Sequence, residues 1–211
     1  MIQIHDMDTV IFVGDSVTDC GRSRPDGVDN LGNGYPRMFA AKFSAENPDL
    51  RVRFINKGCG GEQSRHVLAR LEEDVIRYRP NVVTLCIGVN DVWRAFDESQ
   101  IPSSQVSITD YEANLREIIS RVLAVTQNFV LMTPYMIDAN RHEPMRAMMD
   151  RYGAVCKKLA AEYGVELIDL QALFDGLLEK RQGYTFSGDR IHPSQPGHAA
   201  ITLEMMKVLG R

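Results

Sequence analysis

The sequence has no hydrophobic run long enough to cross a membrane as a helix. Its longest uncharged apolar stretch, Val82–Val89, falls far short of the roughly 20 residues such a span needs. It has no Lys/Arg block, and 24 basic against 28 acidic residues leave a formal charge of −4, so a nucleic-acid partner has no electrostatic support. Met1–Asp8 lacks the basic, apolar and small-residue regions of a secretory signal. The four cysteines, Cys20, Cys59, Cys86 and Cys156, form no C-x-x-C pair, and no His/Cys cluster offers a metal site. Repeats, low-complexity tracts and linkers are absent too. The expectation is a cytoplasmic chain with no membrane or nucleic-acid partner, no metal and no cofactor. What is present is the balance of an ordinary globule, 44% hydrophobic and 25% charged, in 211 residues that suit one domain over 1–211.

Short apolar runs alternate with helical patterns. Thr9–Val13, Arg51–Ile55, Val82–Ile87, Phe129–Thr133 and Val165–Asp169 read as strands, the third continuously apolar as a strand buried on both faces is. Leu68, Leu71, Val75 and Tyr78 form one helical stripe. Tyr111, Leu115, Ile118, Val122 and Val125 form another, with a capping box at Thr109 and Glu112. Met145, Met148, Tyr152, Cys156, Leu159 and Tyr163 form a third, stopped by Gly164. Core packing and a homo-oligomer interface both account for the methionines Met145–Met149. A last helix starts near Pro196 and buries Ile201, Met205 and Leu209. The alternation predicts an α/β fold, a three-layer α/β/α sandwich around a five-stranded parallel sheet. Ligands of such sheets bind beyond the carboxyl ends of the strands.

The segments at those ends carry polar residues. Ser16, two residues past the first strand and preceded by Gly14 and Asp15, suits a nucleophile on a tight turn, or a helix N-cap. Asn56–Ser64, with Gly58, Gly60 and Gly61, suits close backbone approach to a ligand, or a plain turn; it lacks the spacing of a dinucleotide loop. Asn90 and Asp91 follow the most apolar strand, where Asn90 suits an oxyanion donor, or an Asx-turn. Asp189 and His192 lie three apart in a loop that Pro193 keeps out of helix, close enough for the carboxylate to orient the imidazole. Position 18 is Thr, so the G-x-S-x-G elbow is absent.

Taken in order, Gly14-Asp15-Ser16, Asn56-x-Gly58-x-x-Gly61, Gly88-x-Asn90-Asp91 and Asp189-x-x-His192-Pro193 resemble the four blocks of the GDSL esterase family, more narrowly the SGNH hydrolases. Position 17 is valine where the family name has leucine, and position 60 is glycine where many relatives have serine. The blocks span nearly the whole chain. Further stretches, Gly88–Arg94, Met132–Tyr135 and Glu143–Arg146, are similar to a bacterial subgroup that includes intracellular acetylxylan esterases. The resemblance implies a flavodoxin-like SGNH-hydrolase fold and a catalytic triad of Ser16, Asp189 and His192. It implies an oxyanion hole from the N–H groups of Ser16 and Gly61 and the amide of Asn90. The implied activity is a serine esterase releasing short acyl groups, above all acetyl, from carbohydrates such as xylo-oligosaccharides.

Trp93, Tyr184 and Phe186 flank the motifs, where stacking on a sugar and plain packing are both open. Asp19 and Asp91 read as turn and hydrogen-bonding residues. The competing activities are a lysophospholipase or thioesterase of the same family, and a non-catalytic sugar-binding module. No exposed apolar insertion offers a channel for a long acyl chain, and all the triad residue types are present.

Overall fold

The computed structural model describes residues 1–22 and 30–210. Five parallel strands form the central sheet: β2 (Thr9–Gly14), β3 (Arg53–Gly58), β4 (Val82–Cys86), β5 (Asn128–Met132) and β6 (Glu166–Ile168), in the spatial order β3-β2-β4-β5-β6. Alternate residues of each strand feed two separate cores. Ile11, Val13, Val83, Leu85, Phe129 and Leu131 pack under α3 (Ser64–Asp74), α5 (Ile108–Leu123) and α6 (Pro144–Tyr163). Val10, Phe12, Val82, Cys86, Val130 and Met132 pack under α2 (Tyr35–Glu46), α7 (Leu170–Leu178) and α8 (Gln195–Val208). Burial on both faces explains why these strands read as continuous apolar runs. Among the described residues no helix is long and apolar enough to cross a membrane.

The second strand is displaced from its expected span. Pairing starts at Thr9 with Arg53 and continues to Gly14 with Gly58, so Arg51 and Val52 lie outside it and Asn56–Gly58 lie inside. Periodicity marked the apolar half, whereas the partner strand sets the ends. Helix α5 is capped by Ser107, whose hydroxyl accepts from Asp110 N at 3.1 Å, two residues before the expected Thr109. Met145 and Met149 are buried in the core and Met148 packs against it. Two-residue strands β1 (Ile2–Gln3) and β7 (Leu209–Gly210) pair near the chain ends; they are too short to leave a periodic signal.

The register levels the strand ends. Gly14 stands opposite both Gly58 and Cys86, Cys86 opposite Met132, and Met132 opposite Ile168. The chain leaves β2 toward β3 on one side, and leaves β4 toward β5 on the other. The topological switch point, where such sheets open a crevice, therefore lies between the ends of β2 and β4. At this edge position 14 has no room for a side chain. A Cβ there would stand 2.2 Å from Thr18 Oγ1 and 2.4 Å from the Cys86 carbonyl oxygen. Gly14→Ala should cost about 1–3 kcal/mol through overpacking, and thermal unfolding should show a midpoint several degrees lower. An unchanged midpoint would mean that the edge can spread.

Candidate active site

Strand β2 ends in a one-turn helix, α1 (Ser16–Asp19). Asp15, not Ser16, is its N-cap: Oδ1 accepts from Val17 N at 3.0 Å. The Ser16 hydroxyl is thereby left for another partner, and Ser16 is not the cap. Ser16 Oγ lies 2.9 Å from His192 Nε2, and His192 Nδ1 lies 2.6 Å from Asp189 Oδ2. The other Asp189 oxygen accepts from Ile191 N at 2.9 Å, His192 N at 2.8 Å and Ser187 Oγ at 3.0 Å. Burial pushes the Asp189 carboxyl up, yet the bonds from His192, the backbone and Ser187 outweigh it and hold the group at about 2. An ionised Asp189 accepts a hydrogen bond from Nδ1–H and so keeps the ring proton on Nδ1, which leaves Nε2 as the acceptor for the Ser16 hydroxyl.

The loop after β3 folds over α1. Asn56 is buried, accepts from Gly58 N at 2.8 Å, and donates to Thr18 O at 2.7 Å. A Cβ on Gly58 would reach within 2.2 Å of Asp19 N, so only glycine permits this approach. Gly60 N donates to Asp19 Oδ2 at 3.2 Å, and Gly61 has a left-handed φ of 78°. A Cβ at position 60 would lie 3.8 Å from Ser16 Cβ, an ordinary contact. The loop thus runs beside the Ser16 side chain.

On its other side stands α4 (Val89–Asp97). Asn90 is buried in the first turn and donates to Glu62 O at 3.0 Å. An amide carries two N–H donors, so this bond orients the group without exhausting it. Asp91 turns the other way. It is buried and accepts from Ser64 N at 3.0 Å, which fits the hydrogen-bonding role expected of it.

The aromatic expectations divide. The Trp93 ring centroid lies 5.9 Å from that of His192 with the planes at 56°, and the Arg94 guanidinium sits over the Trp93 ring at 5.6 Å. Tyr184 is 76% exposed and lines a hollow of about 300 Å³ with Leu178, Gly188 and Arg190, on the flank of the Asp189 loop. Phe186 is a correction: at 7% exposure it packs in the core with α8 and α7, because the short turn at Gly183–Thr185 directs it inward.

The sequence motifs assign no role to His198, and they place Asp15 beside Ser16 without making it the cap. His198 is buried in α8, accepts from Tyr35 N at 3.2 Å and faces Cys20 Sγ at 3.2 Å. Burial holds its imidazole down at about 4, so it is a neutral brace under the end of α1. Asp15 has no exposed surface, and its Oδ2 has no hydrogen-bond partner. Burial pushes this carboxyl up to about 7. Among the described residues, no group of three or more His, Cys, Asp or Glu side chains is placed to hold a metal ion.

A hydroxyl, an imidazole and a carboxylate linked in this order above a parallel sheet define a serine hydrolase by class. The comparison with known proteins carries this further. Residues 12–200 match the model of the GDSL-like lipase/acylhydrolase family, and the chain belongs to that family of ester hydrolases. It is 37% identical over 212 residues to an acetylxylan esterase of Geobacillus stearothermophilus, covering 99% of this chain and 97% of that protein. A crystal structure of that acetylxylan esterase superposes with a TM-score of 0.92 at 37% identity, covering 98% of this chain and 95% of the other. An α/β hydrolase from the metagenome of Lake Arreo, Spain, superposes with a TM-score of 0.92 at 35% identity, covering 97% and 95%. Catalytic mutants of the Geobacillus enzyme have lost a serine, a histidine or an aspartate, the three residue types joined here.

The orphaned Asp15 carboxyl has a consequence for stability. Its raised value means that the folded chain holds the proton more tightly than the unfolded chain does, so this group costs stability as the pH rises from about 4 through 7. Asparagine keeps the cap and does not titrate. Urea unfolding of Asp15→Asn should therefore show stability gained relative to the parent between pH 5 and pH 8. A difference independent of pH would assign the titration elsewhere.

Proposed function

We propose that the chain is a serine esterase that removes short acyl groups, acetyl above all, from the hydroxyls of xylo-oligosaccharides. The observation that carries this reading is the relay Ser16–His192–Asp189, with bonds of 2.9 and 2.6 Å. The similarity to an acetylxylan esterase along nearly all of both chains supports the acyl group and the alcohol. Trp93 beside His192 supports a sugar or a small acyl group held against the ring.

In the proposed reaction Ser16 Oγ attacks the ester carbonyl while His192 Nε2 takes its proton. The carbonyl oxygen becomes an oxyanion and is met by the N–H groups of Ser16 and Gly61 and the Asn90 amide. The intermediate collapses, the bond to the sugar oxygen breaks, and His192 returns the proton to that oxygen. Water then attacks the acyl-serine, giving its proton to His192, and the second intermediate releases the carboxylic acid and restores Ser16. Asp189 stays ionised throughout and stabilises the transient imidazolium.

Ser16→Ala should fold as the parent does and lose nearly all esterase activity, and a fluorophosphonate probe should label Ser16 in the parent. An adduct on another residue, seen by mass spectrometry, overturns the nucleophile. A panel of esters tests the acyl group. Each methylene buried in a fitting channel contributes about 0.8 kcal/mol, so a lysophospholipase or thioesterase would show kcat/KM climbing with chain length. Here kcat/KM should fall after the shortest acyl groups, and acetylated xylo-oligosaccharides should release acetate. Octanoyl esters outperforming acetyl esters would sink the carbohydrate reading and leave the serine esterase standing.

A further inference from the structure

We propose that Asp91 is a positioning residue for the reaction: its buried carboxylate, bound to Ser64, locates the Asn90 amide against the loop that carries Gly61. The inference rests on the oxyanion roles proposed for Asn90 and Gly61 and adds what holds them in place.

Asp91 is 1% exposed. Its carboxylate accepts from Ser64 N at 3.1 and 3.0 Å and from Ser64 Oγ at 2.5 Å. Asn114 Nδ2 donates to Ser64 Oγ at 3.0 Å, so the single hydroxyl proton of Ser64 is directed to Asp91. Ser64 lies three residues beyond Gly61, and Asp91 is next to Asn90. Two further bonds cross the same seam: Asn90 Nδ2 to Glu62 O at 3.0 Å, and Gln63 Nε2 to Asn90 O at 3.3 Å. Residues 62–64 and 90–91 are therefore fastened side by side although they lie some 27 positions apart in the chain.

The chemistry of this fastening is costly for packing alone. Among the described residues no Lys, Arg or His forms an ion pair with Asp91, and burial raises its carboxyl to about 6. An apolar residue would fill the space without desolvating a charge. What it would not do is fix direction and register, as three short bonds to one serine at the N-terminus of α3 do. The opposite end of the loop is already held to α1, where Gly60 N meets Asp19. The position left to be set is that of Asn90. Oxyanion donors act only within about 2.7–3.1 Å of the developing charge, and a displacement of about 1 Å costs on the order of 10²-fold in rate.

A double-mutant cycle on the full chain tests this, with kcat, KM and thermal midpoints for Asn90→Ala, Asp91→Asn, Ser64→Ala and the Asn90→Ala/Asp91→Asn pair. Asn90→Ala should lower kcat by about 10²–10³. Asp91→Asn should lower kcat about tenfold and leave KM within about twofold, with Ser64→Ala between it and the parent. The pair should be no slower than Asn90→Ala alone by more than about twofold, because Asp91 acts through the amide that is gone. Parental kcat in Asp91→Asn, or a pair whose losses multiply in full, overturns the proposal while leaving the oxyanion reading intact. Parental kcat in Asn90→Ala overturns that reading, and this one with it. If Asp91→Asn does not fold, Ser64→Ala takes its place in the cycle under the same criteria.

Discussion

The site hangs on a steric constraint at the end of strand β2. Gly14 is wedged between Thr18 and the Cys86 carbonyl, with room for a hydrogen atom and nothing larger. That wedge lets the chain turn immediately past the sheet edge and lift Ser16 over the crevice. The Gly14 carbonyl then becomes a junction. It accepts from Cys59 N at 3.0 Å and from Arg70 Nη2 at 3.2 Å. Arg70 also holds Glu62 and Asp74, each at 2.6 Å. One partly buried guanidinium thus ties the strand before Ser16 to the residue after Gly61. Burial pushes Asp74 up, but its bonds from Arg70 and Lys57 keep it below the usual carboxylate range, as expected of an anion held between two cations. Removing Arg70 would strip Glu62 of its partner and leave the part-buried Asp74 with Lys57 alone.

The other half of the relay arrives from 176 residues away. The loop that brings it is anchored at several points. Arg190 takes a left-handed φ of 71°, unusual for a residue with a Cβ. Its carbonyl accepts from Ile137 N at 2.8 Å and its guanidinium meets Asp138 at 2.8 Å, so the segment after β5 holds the turn closed. Ser187 pairs with Pro193 across the base of the loop. Farther on, α8 lies against α2, where His198 receives the first N–H of that helix. Pairing of β1 with β7 closes the fold behind it. His192 is therefore located by backbone geometry rather than by its bond to Ser16 alone.

These causes explain what was legible in the sequence. Five strands could be found because burial on one or both faces writes itself into residue order at a period of one or two. Their edges could not, since Asn56 and Lys57 belong to β3 only by virtue of pairing with β2. The helix Tyr35–Glu46 was overlooked, although Tyr35, Phe39, Ala40 and Phe43 are buried at helical spacing behind Pro36. The signal was present and interrupted by polar residues. The relay was legible because its residue types fall in a fixed order, Ser16 at a strand exit and Asp189-x-x-His192-Pro193 in the loop between α7 and α8. The two readings of Phe186 could not be separated in the sequence, because adjacency to Asp189 says nothing about facing: the turn at Gly183–Thr185 exposes Tyr184 and buries its neighbour but one. His198 gave no signal at all, since a buried histidine and an exposed one look alike in a helical pattern.

Three aspartates near one serine show how environment, not residue type, assigns a role. Asp189 receives four hydrogen bonds and is held at about 2. Asp91 is buried against a serine and rises to about 6. Asp15 has one backbone donor, an orphaned oxygen and no exposed surface, and rises to about 7, with the Asp91 charge adding to the effect of burial. A partner for a transient imidazolium must be ionised before the proton arrives and must stay so while the imidazole is charged. Asp15 adjoins Ser16 in the chain, yet burial favours its protonated form, and its one bonded oxygen is spent on Val17 N. Asp91 points to the other side of the seam. Of the three, Asp189 alone combines permanent charge with a direct bond to His192. The same desolvation that disqualifies Asp15 as an acid partner keeps a second negative charge away from the place where an oxyanion would form. A carboxylate fully charged beside Ser16 would oppose that charge; one whose burial favours the protonated form opposes it less.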